Sequence, residues 1–373
     1  MIRVGILTSS RADYGIYLPL IKNMISDTEI NLKIVVFGTH LSKYHGYTVD
    51  RIEQDGFVVF AKIESMLVGD SPNAIASAYA LTGLKFADFW CDYHEQFDVV
   101  FALGDRFEMA AAVAASIPFG VDIAHIHGGE TTLGAIDNIY RHSITLASKF
   151  HFAAAELFAH RIKNLLDQNQ DHVYHVGSLG IENLKGLTLL TLEEFFTKWR
   201  IDLNQPTLLL TVHPETSDYA QNERHCQELE QAIRVLVKSF QLVITMPNAD
   251  TSGLIFRKRF ELLGDEFDAI RIIENFGSQS YFTCMNYVHL VLGNSSSGII
   301  EAGSMRKYAL NLGNRQLGRL SGENVIHREF EMDAIVQGVM QYSGREYRGE
   351  NPYYRPNASK NIIKILKKHY GTL

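Results

Sequence analysis

The sequence predicts an α/β protein with two domains, each a parallel sheet covered by helices on both faces. The chain has 373 residues, which is more than one compact core usually holds. Short Val/Ile/Leu runs alternate with longer segments of helical period, and these runs lack the polar alternation typical of a sheet with one wet face. Because this pattern occurs twice along the chain, we predict two doubly wound domains.

Strands are predicted in both halves of the chain. In the first half they are Arg3–Thr8, Leu32–Phe37, Val58–Phe60, Asp98–Leu103, Asp122–His127, Lys149–Ala153 and His172–Val176. In the second half they are Thr207–Val212, Gln241–Met246, Ile270–Ile273, His289–Gly293 and Tyr308–Leu312.

The domain boundary is predicted where a Leu-rich segment leads through an acidic, Lys-bearing helix to Pro206, which introduces a new strand. This gives a first domain at 1–181 and a second at 182–355. A C-terminal segment, 356–373, contains the amphipathic run Ser359–Tyr370, which predicts a helix that packs back on either domain.

Composition excludes several classes of protein. Thirty-five Lys plus Arg against 42 Asp plus Glu give a net charge of −7, without the basic block that a nucleic-acid polymer requires. The apolar stretches are too short to span a bilayer, and the first residues resemble a buried strand rather than a secretory signal. The three cysteines match no disulfide or metal pattern. We therefore expect a cytoplasmic protein that does not bind membranes.

The ligand is expected beyond the carboxyl ends of the strands, as in other open parallel sheets. With two such sheets facing each other, the cleft between the domains is the predicted site.

The strongest single motif follows the predicted strand at His289–Gly293. Ser295, Ser296 and Ser297 stand where a helix begins, and exposed amides at a helix N-terminus favour an anion. Gly298 would let the backbone approach a phosphate, and Glu301, one turn into the helix, would accept hydrogen bonds from a ribose. The alternative is ordinary capping of a helix by serine.

Arginines and carboxylates follow two strands of the first domain. Arg11 lies in the loop after the first strand, two residues before Asp13, and arginine binds phosphate in a bidentate manner. Asp105 and Arg106 follow the apolar strand at Asp98–Leu103. Asp105 is either a general base beside a phosphate-binding arginine or the cap of a helix that begins at Arg106.

A third group of polar residues follows the strand at Asp122–His127. His125 and His127 point to one side of this strand, and Glu130 and Asp137 follow it closely. The two carboxylates are acid/base candidates, with a loop carboxylate and a helix cap as alternatives. Two imidazoles and nearby carboxylates also suit a zinc ion. No third ligand lies at a spacing typical of a zinc site, so we predict no metal.

The second domain offers further polar groups at strand ends, namely His213, Asn248 and Arg315. Phosphate-binding groups occur in both halves, whereas the carboxylates cluster in the first. We therefore infer a nucleotide diphosphate held mainly by the second domain, with its sugar presented to acid/base residues of the first. There is no Gly-rich dinucleotide fingerprint and no P-loop, so no nicotinamide or ATP cofactor is predicted.

Together these motifs closely resemble the hydrolysing UDP-N-acetylglucosamine 2-epimerases of bacterial sialic-acid synthesis. The resemblance covers nearly the whole chain and rests on segments at residues 10–15, 104–106, 125–130, 141–145, 213–215, 248–250, 293–298 and 314–316. It implies two Rossmann-like domains around a cleft, the glycosyltransferase-B architecture, and conversion of UDP-N-acetylglucosamine to UDP and N-acetylmannosamine through a glycal, without metal or nicotinamide. It also implies a homo-oligomer, a dimer or tetramer.

The resemblance assigns roles residue by residue. The acid/base candidates are Asp105, Glu130, Asp137, His213 and His127. The candidate substrate contacts are Arg11, Asp13, Arg106, His125, Asn248, Ser295, Ser296, Ser297, Gly298, Glu301 and Arg315. Members of the same branch act on UDP- or GDP-linked N,N′-diacetylbacillosamine in legionaminic-acid synthesis, and the sequence does not distinguish these substrates. A glycosyltransferase of the same architecture is the alternative of another class.

Overall fold

The computed structural model of the chain divides into two compact units. The first consists of Met1–Glu130, Ile136–Lys185 and Tyr353–Leu373, and the second consists mainly of Gly186–Pro352. The structure describes residues 1–67, 69, 71–131, 136–167, 171–215, 221–246, 253–274 and 276–371. Within these residues, no helix has both the length and the apolar character that crossing a membrane requires.

The first unit is built on a seven-stranded parallel sheet with the strand order β3-β2-β1-β4-β5-β6-β7. Its strands are β1 (Ile2–Thr8), β2 (Ile30–Phe37), β3 (Val59–Ile63), β4 (Val99–Leu103), β5 (Ile123–Ile126), β6 (Phe150–Ala153) and β7 (Val173–His175). Its helices are α1 (Arg11–Ile25), α2 (Val49–Gln54), α3 (Pro72–Tyr93), α4 (Phe107–Ser116), α5 (Asp137–Leu146), α6 (Glu156–Leu165), α7 (Leu179–Gly186) and α14 (Ala358–His369).

Strand β4 shows why these strands consist of continuous apolar runs. Phe101 and Leu103 join the hydrophobic core on one face of the sheet, whereas Val100 and Ala102 join the core on the other face. Successive side chains of a strand point to opposite faces, so a strand covered on both sides must be apolar at every position. Each strand predicted in the first half is present.

The first unit continues past residue 181, where we predicted its end. Helix α7 runs through that position, and its Asn183 donates a hydrogen bond to the carbonyl of Gly15 at 2.9 Å. Glu182 accepts hydrogen bonds from the backbone amide and the hydroxyl of Ser359, both at 2.7 Å. These contacts attach α7 to α1 and to the C-terminal segment.

The C-terminal helix α14 belongs to the first unit, a choice that the sequence left open. Ile362 and Leu366 are fully buried in the core that also contains β1. Lys367 forms ion pairs with Asp27 at 2.7 Å and Glu29 at 2.6 Å. The apolar face predicted from the amphipathic run is therefore covered by α1 and the first sheet.

The second unit contains a six-stranded parallel sheet with the order β10-β9-β8-β11-β12-β13. Its strands are β8 (Thr207–Thr211), β9 (Gln241–Thr245), β10 (Ile270–Ile273), β11 (Leu290–Gly293), β12 (Ala309–Leu312) and β13 (Val325–Arg328). Its helices are α8 (Leu192–Trp199), α9 (Asn222–Leu236), α10 (Gly253–Glu266), α11 (Gly277–Tyr287), α12 (Ser296–Ile300) and α13 (Met332–Tyr342).

Both predicted parallel α/β domains are thus confirmed, with one strand missed. Strand β13 lies at the edge of the second sheet and has only two apolar residues, Val325 and Ile326, before His327 and Arg328. An edge strand is half solvated and needs no continuous apolar run, so its sequence carries little signal.

Candidate active site

The turns after three neighbouring strands of the first sheet carry the residues predicted for the first domain. Strands β1, β4 and β5 lie side by side, and the direction in which the chain adds strands reverses between β1 and β4. Ligands of open parallel sheets bind outside the carboxyl ends of the strands at such a reversal. The predicted residues after these three strands therefore share one edge of one sheet.

The carboxylate of Asp13 holds the turn after β1. Ser9 donates to it twice, through its backbone amide at 3.0 Å and its hydroxyl at 2.6 Å. Asp13 is buried and shapes the loop through these bonds, and its contact with a substrate stays a prediction. Arg11 is the exposed first residue of α1, where its guanidinium is open to an anion.

His40, which we did not predict, also holds this turn. It is fully buried just after β2, and its ring nitrogens bond to the hydroxyls of Thr8 at 2.9 Å and Thr48 at 2.8 Å. Burial lowers the pKa of His40 to about 4, so the ring is uncharged at neutral pH. A single histidine in a Gly-Thr-His segment carries no sequence signal for this role.

Asp105 forms an ion pair with Arg141, a buried residue of α5. Helix α4 begins at Phe107, with Arg106 in the N-cap position and no side chain as a cap. The interpretation of Asp105 as a helix cap is therefore wrong, because its carboxylate is turned toward α5. Arg106 pairs with the buried carboxylate of Glu108 at 2.7 Å.

His125 has no ring nitrogen left for a substrate or a metal. Its Nε2 donates to the carbonyl of Gly104 at 2.9 Å, and its Nδ1 bonds to the hydroxyl of Thr145 at 3.0 Å. Burial lowers the pKa of His125 to about 3, so Nδ1 is the acceptor of the neutral ring. His125 therefore fastens the turn that carries Asp105 to helix α5, and we interpret it as a positioning residue rather than the predicted substrate contact.

His127 and Glu130 form a pair after β5. Nδ1 of His127 lies 2.5 Å from a carboxylate oxygen of Glu130, and both side chains are largely buried. His127 has a φ of +64°, a backbone conformation uncommon for a residue with a side chain. The turn also needs Gly129, because a Cβ there would lie 2.4 Å from the carbonyl oxygen of Phe158.

Asp137 is the exposed first residue of α5, and Ile136 occupies the N-cap position without a side-chain hydrogen bond. The alternative that Asp137 caps this helix is therefore wrong. Arg141 and Thr145 follow at intervals of four residues, so the three side chains lie along one face of α5. This helix thus carries one predicted carboxylate and the partners of Asp105 and His125.

In the second sheet, the predicted residues follow strands β8, β11 and β12, which are also neighbours. Ser295 is the N-cap of α12, and its hydroxyl accepts a 3.4 Å hydrogen bond from the amide of Ser297. The hydroxyl of Ser297 is bonded to Tyr281 at 2.5 Å and to Ser295 at 3.1 Å. Capping thus accounts for Ser295, and Ser297 faces the protein. Ser296 is the half-buried first residue of the helix.

One predicted detail of this motif stays a prediction and another is wrong. A Cβ at Gly298 would lie 3.5 Å from the Cβ of Ala309, an ordinary van der Waals distance that does not explain why glycine stands there. Glu301 does not lie within the helix, which ends at Ile300. The glycine that the backbone requires is Gly293, whose φ is +125° and whose Cβ would lie 2.0 Å from the carbonyl oxygen of Thr211.

Glu215, which sequence reasoning did not select, holds the loop that carries Arg315. Its buried carboxylate accepts hydrogen bonds from the backbone amides of Asn314 at 2.7 Å and Arg315 at 3.2 Å. The guanidinium of Arg315 donates to the carbonyl of Asn294 at 3.2 Å. Burial, and to a smaller extent the positive charge of Arg315, lowers the pKa of His213 to about 4.

Asn248 lies outside the described residues. Among the described residues, no group of three or more His, Cys, Asp or Glu side chains is arranged to hold a metal ion.

Known proteins of one family resemble this chain over nearly its whole length. A family model described as UDP-N-acetylglucosamine 2-epimerase matches residues 22–367. The chain is 31% identical to the polysialic acid biosynthesis protein P7 of Escherichia coli, over 98% of this chain and 94% of that protein. It is also 31% identical to the hydrolysing UDP-N,N′-diacetylbacillosamine 2-epimerase of Legionella pneumophila, over 97% of this chain and 94% of the relative.

A solved structure gives the same fold. UDP-GlcNAc 2-epimerase from Neisseria meningitidis, crystallised with UDP-GlcNAc, superposes with a TM-score of 0.81 at 20% identity, over 98% of this chain and 99% of that one. The predicted resemblance is confirmed by the family model and the two sequence relatives, and the fold class by this superposition. The chain belongs to the UDP-N-acetylglucosamine 2-epimerase family.

Proposed function

We propose that this chain is a hydrolysing 2-epimerase that converts UDP-N-acetylglucosamine to UDP and N-acetylmannosamine. The observation that carries the proposal is the placement of Asp105 and Glu130 after adjacent strands, with Arg141 and His127 as their partners. Inversion at one carbon through a planar intermediate needs two proton-transfer groups on opposite faces of that carbon, and two carboxylates held by different turns meet this requirement.

In the proposed reaction, the bond between C1 and the diphosphate breaks first. The C2 hydrogen of an acetamido sugar is hardly acidic, and the positive character that develops at C1 makes its removal feasible. Negative charge builds on the departing UDP at the same time. We assign its stabilisation to Ser296, Arg315 and the amides at the start of α12, because prearranged donors act where charge develops.

Proton transfer at C2 completes the change of configuration. One carboxylate of the first unit removes the C2 proton, which leaves a glycal with a double bond between C1 and C2. Water then adds its hydroxyl at C1, while a second group returns a proton to the opposite face of C2. We propose Asp105 for one of these transfers and either Glu130 or Asp137 for the other, with His127 holding Glu130 in place.

A second substrate is favoured by a specific observation. The Legionella pneumophila relative at 31% identity and a Campylobacter jejuni relative at 29% identity are both named for N,N′-diacetylbacillosamine, linked to UDP in the first and to GDP or UDP in the second. A Neisseria meningitidis relative named for UDP-N-acetylglucosamine is 26% identical. The same C2 chemistry applies to either sugar, so the diacetamido sugar is our alternative substrate.

One experiment tests the reaction and the substrate together. The enzyme is incubated in heavy water with UDP-N-acetylglucosamine or with UDP-N,N′-diacetylbacillosamine, and the products are examined by NMR. We expect free sugar of inverted configuration with deuterium at C2, and the ratio of the two rates identifies the substrate. Free sugar without deuterium at C2 would contradict the mechanism, and an epimer still attached to UDP would contradict hydrolysis.

The same experiment separates the other predicted activities. A glycosyltransferase would release no free epimer from nucleotide sugar alone, since it needs an acceptor. A metal-dependent hydrolase would lose activity when a chelator is added. We expect full activity in the chelator and without any acceptor.

A further inference from the structure

Both polar atoms of the Asn294 side chain form hydrogen bonds with the backbone of His213. Its amide oxygen accepts from the His213 N–H at 2.7 Å, and its Nδ2 donates to the His213 carbonyl at 2.8 Å. Asn294 is fully buried in the turn after β11, and His213 lies beyond the last residue of β8. Two bonds between one side chain and one residue fix both the position and the orientation of that residue.

The backbone of Asn294 extends this arrangement to a third turn. Its N–H donates to the carbonyl of Thr211 at 3.0 Å, and its carbonyl accepts from Arg315 at 3.2 Å and from Gln316 at 2.8 Å. Asn294 therefore connects the turns after β8, β11 and β12. These are the turns that bear His213, the three serines and Arg315.

The backbone of His213 is not held by the regular hydrogen bonds of a strand. It follows the sheet ladder of β8, and Pro214, the next residue, has no N–H to donate. Its ring is half-buried, and burial together with the positive charge of Arg315 lowers the pKa of the ring. A ring that could move into water would escape both effects.

We propose that Asn294 is a positioning residue that holds the His213 backbone, so that the imidazole keeps its half-buried place in the turn while the Arg315 guanidinium is bonded to the same asparagine. The catalytic consequence of this role rests on the proposed function and on the acid/base role that the resemblance assigns to His213, whereas the positional role rests on contacts within the second unit. Asn294 itself touches neither substrate nor reacting atoms in this proposal. It acts through His213.

A matched control exists in the same unit. Asn324 is also buried, at 1% exposure, and its side chain donates to the carbonyl of Lys307 at 3.1 Å. Lys307 precedes β12, at the opposite end of that strand from Arg315. Asn324→Ala therefore removes a buried amide of the same kind without touching the three turns.

The first test follows the histidine ring directly, by NMR of the side-chain ¹H–¹³C signals between pH 5 and 8. The His213 signal is assigned by its loss in His213→Gln. In the wild type and in Asn324→Ala it should not titrate in this range. In Asn294→Ala its pKa should rise by about one pH unit or more, as the loosened segment lets water reach the ring. A folded Asn294→Ala protein with the wild-type titration would overturn the proposal.

A second test uses turnover and the coupling between two residues. Asn294→Ala should lower kcat at least about tenfold in the wild-type background but less than about twofold when His213 is already glutamine, because residues that act through each other are not additive. Asn324→Ala should cost the same in both backgrounds. An equal loss from Asn294→Ala in both backgrounds would contradict the positioning role.

The role of Asn294 can be tested even if Asn294→Ala does not fold or the wild type proves inactive on nucleotide sugars. If Asn294→Ala does not fold, Asn294→Ser, whose hydroxyl can make one of the two bonds, takes its place and should show a smaller change of the same sign. If the wild type releases UDP from no nucleotide sugar, the proposed function fails, while the NMR test still decides the role of Asn294.

Discussion

The two units hold their strand-end turns with different chemistry. In the first unit, the turns after β1 and β4 are fastened by the buried imidazoles of His40 and His125, both uncharged at neutral pH. In the second unit, the amide of Asn294 and the carboxylate of Glu215 do this work. An amide does not titrate, and an imidazole must stay neutral to keep both of its hydrogen bonds as they are. Moderately acidic pH therefore acts on the groups that hold the turns of the first unit, whereas the Asn294 amide of the second unit does not titrate.

The largest expected effect separates the chemical roles of the two units. Asp105→Asn and Glu130→Gln should each lower turnover by about 10²–10⁴, because each removes a proton-transfer group, while UDP still binds. Turnover is measured by release of UDP, and UDP binding by calorimetry. Asp122→Asn is the control. The side chain of Asp122 is about as exposed as that of Asp105, and it pairs with Lys149 at the amino-terminal ends of the strands of the same sheet. Wild-type turnover in either carboxylate variant would remove that residue from the mechanism.

A smaller effect is expected for the second unit. Arg315→Ala should weaken UDP binding about 10–100-fold, because hydrogen bonds to a charged group contribute about 1.5–3 kcal/mol. Arg306→Ala serves as the control, because Arg306 precedes β12 whereas Arg315 follows it, and its exposed side chain pairs with Glu346. Calorimetric titration with UDP measures both variants. Equal affinity of Arg315→Ala and the wild type would contradict the assignment of the diphosphate to this edge.

The low pKa values of His40 and His125 predict that the free energy of unfolding depends on pH. Below pH 6.5 an unfolded histidine takes up a proton, whereas folded His40 and His125 stay neutral until about pH 4 and 3. The unfolded state therefore gains protons, and the free energy of unfolding falls as pH falls, by about 1.4 kcal/mol per pH unit for each such histidine. His125→Gln should flatten this slope between pH 6.5 and 4.5 and His160→Gln, an exposed position, should not.

The two tryptophans allow each unit to be followed by itself. Trp90 belongs to the first unit and Trp199 to the second. Urea unfolding of Trp199→Phe, monitored by fluorescence, reports the first unit, and Trp90→Phe reports the second. The slope with pH should be steeper for the first unit. A steeper slope in the second unit would contradict the comparison.

The smallest effect distinguishes two neighbouring serines. Ser296→Ala should weaken UDP binding by about 3–10-fold, the loss of one hydrogen bond, with stability unchanged. Ser297→Ala should instead lower the free energy of unfolding by about 1 kcal/mol, since its hydroxyl is bonded to Tyr281 and Ser295. Calorimetry with UDP and urea unfolding measure the two quantities. Weaker UDP binding in Ser297→Ala, with unchanged stability, would instead support the substrate contact that we first predicted for Ser297.

Much of the fold was predictable, because a strand that is buried on both faces of its sheet has a continuous apolar sequence. The run at Val99–Leu103 is apolar at every position, and it is the strand whose side chains fill two cores. Strand β13 was missed, because a strand at the edge of a sheet does not need a continuous apolar sequence. Helix α14 was predicted as an element, but its own sequence cannot say which surface covers its apolar face.

For the candidate site, the predicted segments do follow the ends of strands, but the sequence did not predict the partner of each side chain within them. Asp105 was given helix capping as an alternative and instead pairs with Arg141, whereas Ser295 does cap a helix. His40 and Glu215 were missed, because their partners are backbone and hydroxyl groups far along the chain. Such partners have no distinctive sequence pattern.

By itself, the sequence determined the parallel α/β class, the polar residues at the strand ends and the family, all of which depend on local pattern and on motif order. Only the tertiary structure decided which of these polar residues hold the turns, as His125 and Asn294 illustrate. The physical reason is that a buried hydrogen bond depends on where its partner lies in space, and the sequence on either side of a residue does not contain that information.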